Sequence, residues 1–333
     1  MGSTWSSPGL SGDLDWESTV TGYRDGRDKP GHDRARTARL SPPLHGFAMS
    51  RIAYVNGRYR PHRDAVIHVE DRGYQFADGV YEVCEVREAR LVDERRHMAR
   101  LTRSLAELRI GLPMPLPALS VVLHETVRRN RVRNGIVYLQ ITRGVARRDF
   151  AFPPPPTAPS IVVTARSHDT VKAENMAAEG IAVITLADRR WARPDIKSVS
   201  LLPNVLAKQA ARDAGAREAW FVDARGFVTE GASSNAWIIT ADGEVVTRPA
   251  DNSILSGISR AVVLDAMAVR GLTFAERPFT VVEAKAAREA FITAASQIVQ
   301  PVVSIDGKPV GEGRPGPVAL ALRREFHRHA EFT

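Results

Sequence analysis

Two side chains in the stretch from Asp195 to Asn235 have the chemistry of a covalent carbonyl site. Lys197 lies in Asp195-Ile196-Lys197-Ser198-Val199-Ser200-Leu201-Leu202-Pro203. The apolar residues around it predict a strand edge, where desolvation favours the neutral amine that a Schiff-base lysine needs. Glu230 lies in Val228-Thr229-Glu230-Gly231-Ala232-Ser233-Ser234-Asn235, a Gly- and Ser-rich turn in which a carboxylate can face a ring rather than water. Taken singly, each has a plainer reading: a lysine at a strand end is most often exposed, and a turn carboxylate is most often solvated. Further along, Gly257-Ile258-Ser259 opens a helix. It offers unbonded amides, a hydroxyl and the positive dipole end to an anion such as phosphate. Ser233 and Ser234 can bond the same phosphate or a ring substituent, although serines after a Glu-Gly turn are as often simple turn residues. No metal site is expected.

Five motifs stand in order along the chain. They are Glu70-Asp71-Arg72-Gly73-Tyr74-Gln75-Phe76 with Asp78-Gly79-Val80-Tyr81-Glu82, then Thr142-Arg143-Gly144, the lysine segment, Thr229-Glu230-Gly231, and Leu255-Ser256-Gly257-Ile258-Ser259-Arg260. From about Ile52 to the last residue the chain resembles the class IV aminotransferases, the fold-type IV pyridoxal phosphate enzymes, and within them the D-amino acid (D-alanine) aminotransferases. The resemblance implies an α+β, two-domain enzyme, each lobe a β-sheet with flanking helices and the site in the interdomain cleft. It makes Lys197 the residue that holds the cofactor's aldehyde carbon and later serves as general base. It makes Glu230 the partner of the ring nitrogen, and Arg100, in Glu94-Arg95-Arg96-His97-Met98-Ala99-Arg100-Leu101, the arginine that binds the phosphate. Leu255 packs on the ring face, and Ile258 and Ser259 sit at the phosphate.

For the substrate, the resemblance places Tyr81 near the carboxylate and matches Tyr138 to a tyrosine on the preceding strand. In Thr142-Arg143-Gly144-Val145-Ala146-Arg147-Arg148-Asp149-Phe150, Arg148 matches the arginine that traps the α-carboxylate. Phe150 stands where the D-specific members carry a histidine. The implied reaction moves the amino group of a D-amino acid such as D-alanine to a 2-oxo acid such as 2-oxoglutarate. Branched-chain L-amino acid aminotransferase, aminodeoxychorismate lyase and (R)-amine transaminase are the alternatives on the same fold. The resemblance also implies a homodimer with the site near its interface.

The elements that must position these residues follow from periodicity and turn chemistry. Asn56-Gly57 between 52–55 and 58–60 predicts a hairpin, 65–69 a further strand, and 81–86 with 89–92 another hairpin. Helical spacing runs over 94–110 and 116–131, strands over 136–142 and 160–165, and the prolines at 153–156 demand a loop. Residues 166–170 read as a linker. The second half predicts strands at 181–186, 219–222, 227–229, 236–240, 244–247, 291–293 and 301–305. Helices are expected at 203–214, 259–269 and 318–328. This divides the chain into a small domain over 49–166 and a larger cofactor-binding domain over 167–333.

Residues 1–48 differ from the rest. They mix Gly, Pro, Ser and paired charges without apolar periodicity, so they cannot bury enough surface to offset their ordering entropy. They are expected to be a disordered, non-native extension, with Met49 the native start. The whole chain carries a net charge of +8 and a pI near 10.0, which raises a nucleic-acid-binding role from a different functional class. The six Lys/Arg and six Asp/Glu of residues 1–48 cancel, and elsewhere the excess is scattered rather than gathered into one run. Solvated helix faces and an anion-attracting cleft account for it better. No apolar run approaches the ~20 residues that span a bilayer. No secretory signal is expected, since no charged n-region leads into an apolar core, and the single cysteine, Cys84, reads as a packed strand thiol; a cytoplasmic enzyme acting on small molecules is therefore expected.

Overall fold

The computed structural model describes residues 51–333; the expectations for residues 1–48 and for Met49 lie outside the described residues. The first lobe is an antiparallel sheet of β1 (Ile52–Val55), β2 (Arg58–Pro61), β3 (Gly79–Arg87), β4 (Arg90–Leu91), β5 (Gly135–Thr142) and β6 (Ser160–Ser167), in the order β2-β1-β6-β5-β3-β4. Asn56 and Gly57 take φ values of 44° and 89°, the positive pair that a tight hairpin turn needs. Along β3, Val80, Glu82, Cys84 and Val86 point inward, which puts one carboxylate among apolar residues. Helices α2 (Glu94–Glu107) and α3 (Leu116–Arg129) cover this sheet. Met98, Leu101 and Leu105 meet Leu119, Leu123, Val137 and Val163 in one core.

The second lobe is a larger mixed sheet. It contains β7 (Ile181–Ala187), β8 (Glu218–Val222), β9 (Val228–Gly231), β10 (Asn235–Ile239), β11 (Val245–Thr247), β12 (Phe274–Glu276), β13 (Glu289–Ala294) and β14 (Ile298–Ile305). The order is β12-β11-β10-β13-β14-β7-β8-β9, with the short β15 (Lys308–Pro309) beside β14. Strands β9 and β10 lie far apart in that order, yet only residues 232–234 join them, so the sheet must curl round on itself. Its inner face buries Trp220, Ile238 and Ile292. On the outer face α6 (Ile258–Arg270) and α8 (Pro317–His329) pack on Trp237 and Phe291, whose rings stack at 5.3 Å. Helix α5 (Leu202–Asp213) lays Ala207 and Ala211 on Phe221, and the six-residue α7 (Val281–Ala286) sits beside Phe279.

Two expectations need correction here. Residues 65–69 form no strand: Val66 and Val69 are exposed, and no strand among the described residues pairs with them. The segment leads instead into a short helix, α1 (Arg72–Phe76), capped by the Asp71 side chain accepting from Gly73 N. The linker expected over 166–170 shortens to residues 168–169, because β6 runs to Ser167 and α4 (Thr170–Glu179) begins almost at once. Asp169 caps α4 by accepting from Lys172 N, and only Ala177 of that helix is buried, so it has little of the apolar periodicity that betrays a helix.

Candidate active site

A cleft of about 230 Å³ between the two lobes is lined by Tyr81, His97, Arg100, Arg190, Lys197, Glu230, Leu255, Ile258 and Ser259, among others. Lys197 does not lie on a strand; its segment, bracketed by Pro194 and Pro203, is a loop docked on the first sheet. Tyr81 N donates to Lys197 O at 3.0 Å, Val199 N donates to Gly79 O at 3.0 Å, and Ser198 bridges Val80. Lys197 N also donates to Ser104 Oγ of α2 at 3.3 Å. This anchorage aims the side chain across β3, and Nζ lies 4.3 Å from the centre of the Tyr81 ring.

Glu230 lies on β9, one residue before its end, rather than within a turn; the turn follows, closed by Gly231 N donating to Ser234 O at 2.7 Å. Its carboxylate is buried and accepts from Arg190, from Asn235 Nδ2 at 3.0 Å and from Leu255 N at 3.1 Å. Burial raises its pKa to about 7, although the Arg190 charge, the hydrogen bonds and, more weakly, Lys197 all pull the other way. Arg190 is itself pinned to Asp188 through Nε at 3.0 Å and Nη2 at 2.7 Å. Asn235 couples this end of the site to the next, since Nδ2 also donates to Leu255 O at 2.9 Å. A Cβ on Gly257 would lie 2.1 Å from Asn235 Oδ1, so any larger residue there must displace the Asn235 side chain that joins Glu230 to Leu255.

Arg100, which the resemblance makes the phosphate-binding arginine, is nearly enclosed. Nε and Nη2 each donate at 2.8 Å to Glu82, and Nη1 donates at 2.8 Å to Ser256 O. Glu82 is the inward carboxylate of β3. Burial works against its charge, but Arg100 and the hydrogen bond from His97 Nδ1 at 2.7 Å outweigh that and hold it well below the carboxylate range. The fixed guanidinium shares the cleft wall with the start of α6, which has no side-chain cap, and with the 293–296 segment where β13 ends. Ser233 and Ser234 are committed elsewhere: both hydroxyls donate to the buried Glu218, at 2.8 and 3.1 Å. A hydroxyl has one proton, so in this arrangement neither can donate to a phosphate.

One cleft thus combines a primary amine, a buried carboxylate, a fixed guanidinium and an uncapped helix start. That donor set fits pyridoxal phosphate: cation and amides for the phosphate, amine for the aldehyde, carboxylate for the ring nitrogen.

The substrate candidates divide. Tyr81 lines the cleft. Tyr138 stacks on Tyr81 at 5.7 Å, donates to Gln140 Oε1 at 2.6 Å, and has its pKa pushed up to about 12 by burial and by Tyr81, but it does not line the cleft. Arg148 and Phe150 are exposed and outside it, gathered on Phe76. Sequence reasoning missed Arg190, Asn235, His97, Glu82 and the 293–296 segment, where β13 ends. Only Glu82 carried a readable signal, a carboxylate in the buried register of an alternating strand.

Comparison with known proteins agrees with this geometry. The family model for amino-transferase class IV matches residues 79–305. A D-alanine aminotransferase of Staphylococcus haemolyticus is 40% identical over 279 residues, covering 84% of this chain and 97% of its own. One of Bacillus licheniformis is 41% identical over 263 residues, covering 79% and 91%. Among solved structures, a branched-chain amino acid aminotransferase of T.th. with pyridoxamine 5'-phosphate superposes with a TM-score of 0.76 at 26% identity, covering 84% and 93%. The enzyme of that type from Escherichia coli shares the fold, at 24% identity and a TM-score of 0.76 over the same shares. The chain belongs to the amino-transferase class IV family.

Proposed function

We propose that this chain is a pyridoxal phosphate-dependent aminotransferase that moves the amino group of a D-amino acid, such as D-alanine, to a 2-oxo acid such as 2-oxoglutarate. The observation that carries the reading is the convergence of Lys197, Glu230 and Arg100 on one cleft, in a chain about 40% identical to D-alanine aminotransferases. Bound there, pyridoxal phosphate supplies an aldehyde to hold the amino group and a protonated pyridine ring to withdraw electrons from the reacting carbon. Arg100 and the amides of Ile258 and Ser259 bind the phosphate, and Leu255 orients the ring. Glu230 keeps the ring nitrogen protonated, and Arg190 and Asn235 hold its carboxylate in place. Lys197 Nζ takes the proton that leaves the donor's α-carbon, and Tyr81 orients the donor beside it.

Arg148 grips the donor carboxylate in this reading, and a second copy must bring it to the cleft. The exposed apolar side chains of Val66, Val69, Tyr74, Phe150, Leu202 and Leu206 favour a homodimer that covers them. Among the described residues no helix is long and apolar enough to cross a membrane. We place the enzyme in the cytoplasm and part its two domains at 166/167. Sedimentation tests the dimer, and limited proteolysis tests the domain boundary.

The experiment that tests the function is a panel of D- and L-amino acids with 2-oxoglutarate, scored for glutamate and the 2-oxo product. Turnover of D-alanine to pyruvate with stoichiometric glutamate is expected. Preference for branched-chain L-amino acids, or pyruvate from a chorismate-derived substrate without an acceptor, would overturn the reading.

A further inference from the structure

The loop that carries Arg148 and Phe150 is fastened from beneath by one buried side chain. Arg72, the first residue of α1, is 3% exposed. Its Nη1 donates to Asp149 O at 2.6 Å and reaches Ala151 O at 3.3 Å, while Nη2 lies 3.4 Å from Phe150 O. The Asp149 bond is the strong one; the other two are long and serve as restraints on direction. The Arg72 backbone amide donates at 2.9 Å to Gly144 O, where the chain turns with φ 99° into this loop. One guanidinium and its own amide therefore hold both the entrance and the crest of the loop.

The support under Arg72 is itself rigid. Nε donates to Asp78 Oδ2 at 2.8 Å, and Arg143 grips the same carboxylate with Nε at 2.7 Å and Nη2 at 2.9 Å. Arg143 spends its other donors on Leu108 O at 2.8 Å and Arg109 O at 3.0 Å, tying the cluster to the end of α2. These bonds hold the Asp78 carboxyl below its ordinary range although burial opposes its charge. Phe76, at the other end of α1, receives the Arg72 guanidinium at 4.7 Å, that of Arg148 at 4.6 Å and the Phe150 ring at 5.5 Å. The ring is a rest on which Arg148 lies in a defined direction.

We propose that Arg72 is a positioning residue for donor selectivity: with Phe76 it fixes the 148–150 segment so that Arg148 meets the donor carboxylate in one orientation. This rests on the reading of Arg148 as the carboxylate-gripping residue. A lysine cannot replace Arg72, because one ammonium cannot serve Asp78 and the Asp149 carbonyl with the spread of a guanidinium.

The test is Arg72→Lys in the holoenzyme, alone and combined with Arg148→Ala. Asp78 keeps Arg143 in this variant, so the fold is retained. Amide exchange over residues 145–152 should speed up, cofactor absorbance should not change, and KM for D-alanine should rise about tenfold with little change in kcat. In the Arg148→Ala background the same substitution should cost less than about twofold, because its effect passes through Arg148. Phe76→Leu removes the ring that Arg148, Arg72 and Phe150 share and carries the same prediction should the lysine variant fold poorly. Equal costs in both backgrounds would make Arg72 a general prop, and unchanged exchange would show the loop is held without it; either overturns the proposal. Faster exchange with an Arg148→Ala enzyme that still saturates normally with D-alanine would instead sink the carboxylate reading, and the selectivity claim with it.

Discussion

Replacing Glu230 by glutamine separates two roles that the structure gives one carboxylate. The side chain is almost isosteric, so Leu255 N and Asn235 Nδ2 can still donate to the remaining carbonyl oxygen. What is lost is the charge facing Arg190. Arg190 keeps both of its bonds to Asp188, so the buried cation is not orphaned. Burial disfavours the Glu230 charge, raising the carboxyl's pKa to about 7, so its removal carries little stability cost, unlike a broken buried pair. The catalytic cost differs in kind. A neutral amide cannot hold a proton on the ring nitrogen, and removing a preorganised charge of this sort costs on the order of 10²–10³ in rate. Stopped-flow absorbance of the first half-reaction with D-alanine, beside urea unfolding of the same variant, measures both. A folded variant that binds cofactor yet reacts at the wild-type rate would refute the assignment and leave Glu230 a structural strand-end carboxylate.

Three further outcomes are expected. Lys197→Ala should fold and bind pyridoxal phosphate only noncovalently, without turnover; activity near that of the wild type would remove Lys197 as the base. Phe150→His restores a donor beside Arg148, and a hydrogen bond to a charged group, roughly 1.5–3 kcal/mol, should lower KM for D-alanine at least about tenfold, which steady-state kinetics checks. The cofactor-free protein should lose stability with rising pH through Glu230. Its folded pKa is raised to about 7 from 4.5, so the folded state holds the extra proton between these values. That contribution, on the order of 3 kcal/mol, is complete below the unfolded pKa and gone once pH passes the folded one. Unfolding titrations of wild type and Glu230→Gln between pH 4.5 and 7 should diverge by this trend, and parallel curves would contradict it.

The sequence by itself determined which chemistry was present and roughly which elements carry it. Lys197, Glu230 and the Gly257-Ile258-Ser259 helix start are local patterns, and α2, α3, α5, α6 and α8 follow from apolar spacing that survives into the structure because each buries one face. Where that spacing fades, the sequence was silent. Helix α4 buries only Ala177, and the apolar residues of 65–69 imitate a strand although nothing among the described residues pairs with them. Tertiary structure alone decided how the site is wired. Arg190 meets Glu230 across 40 residues, and Tyr81 receives the lysine loop from the far half of the chain. Ser233 and Ser234 turn to Glu218 because a buried carboxylate must find donors, and Arg148 rests on Phe76 outside the cleft. Periodicity and turn chemistry are written in neighbouring residues. The partners of a buried charge are chosen by desolvation, which acts only after distant segments have been brought together.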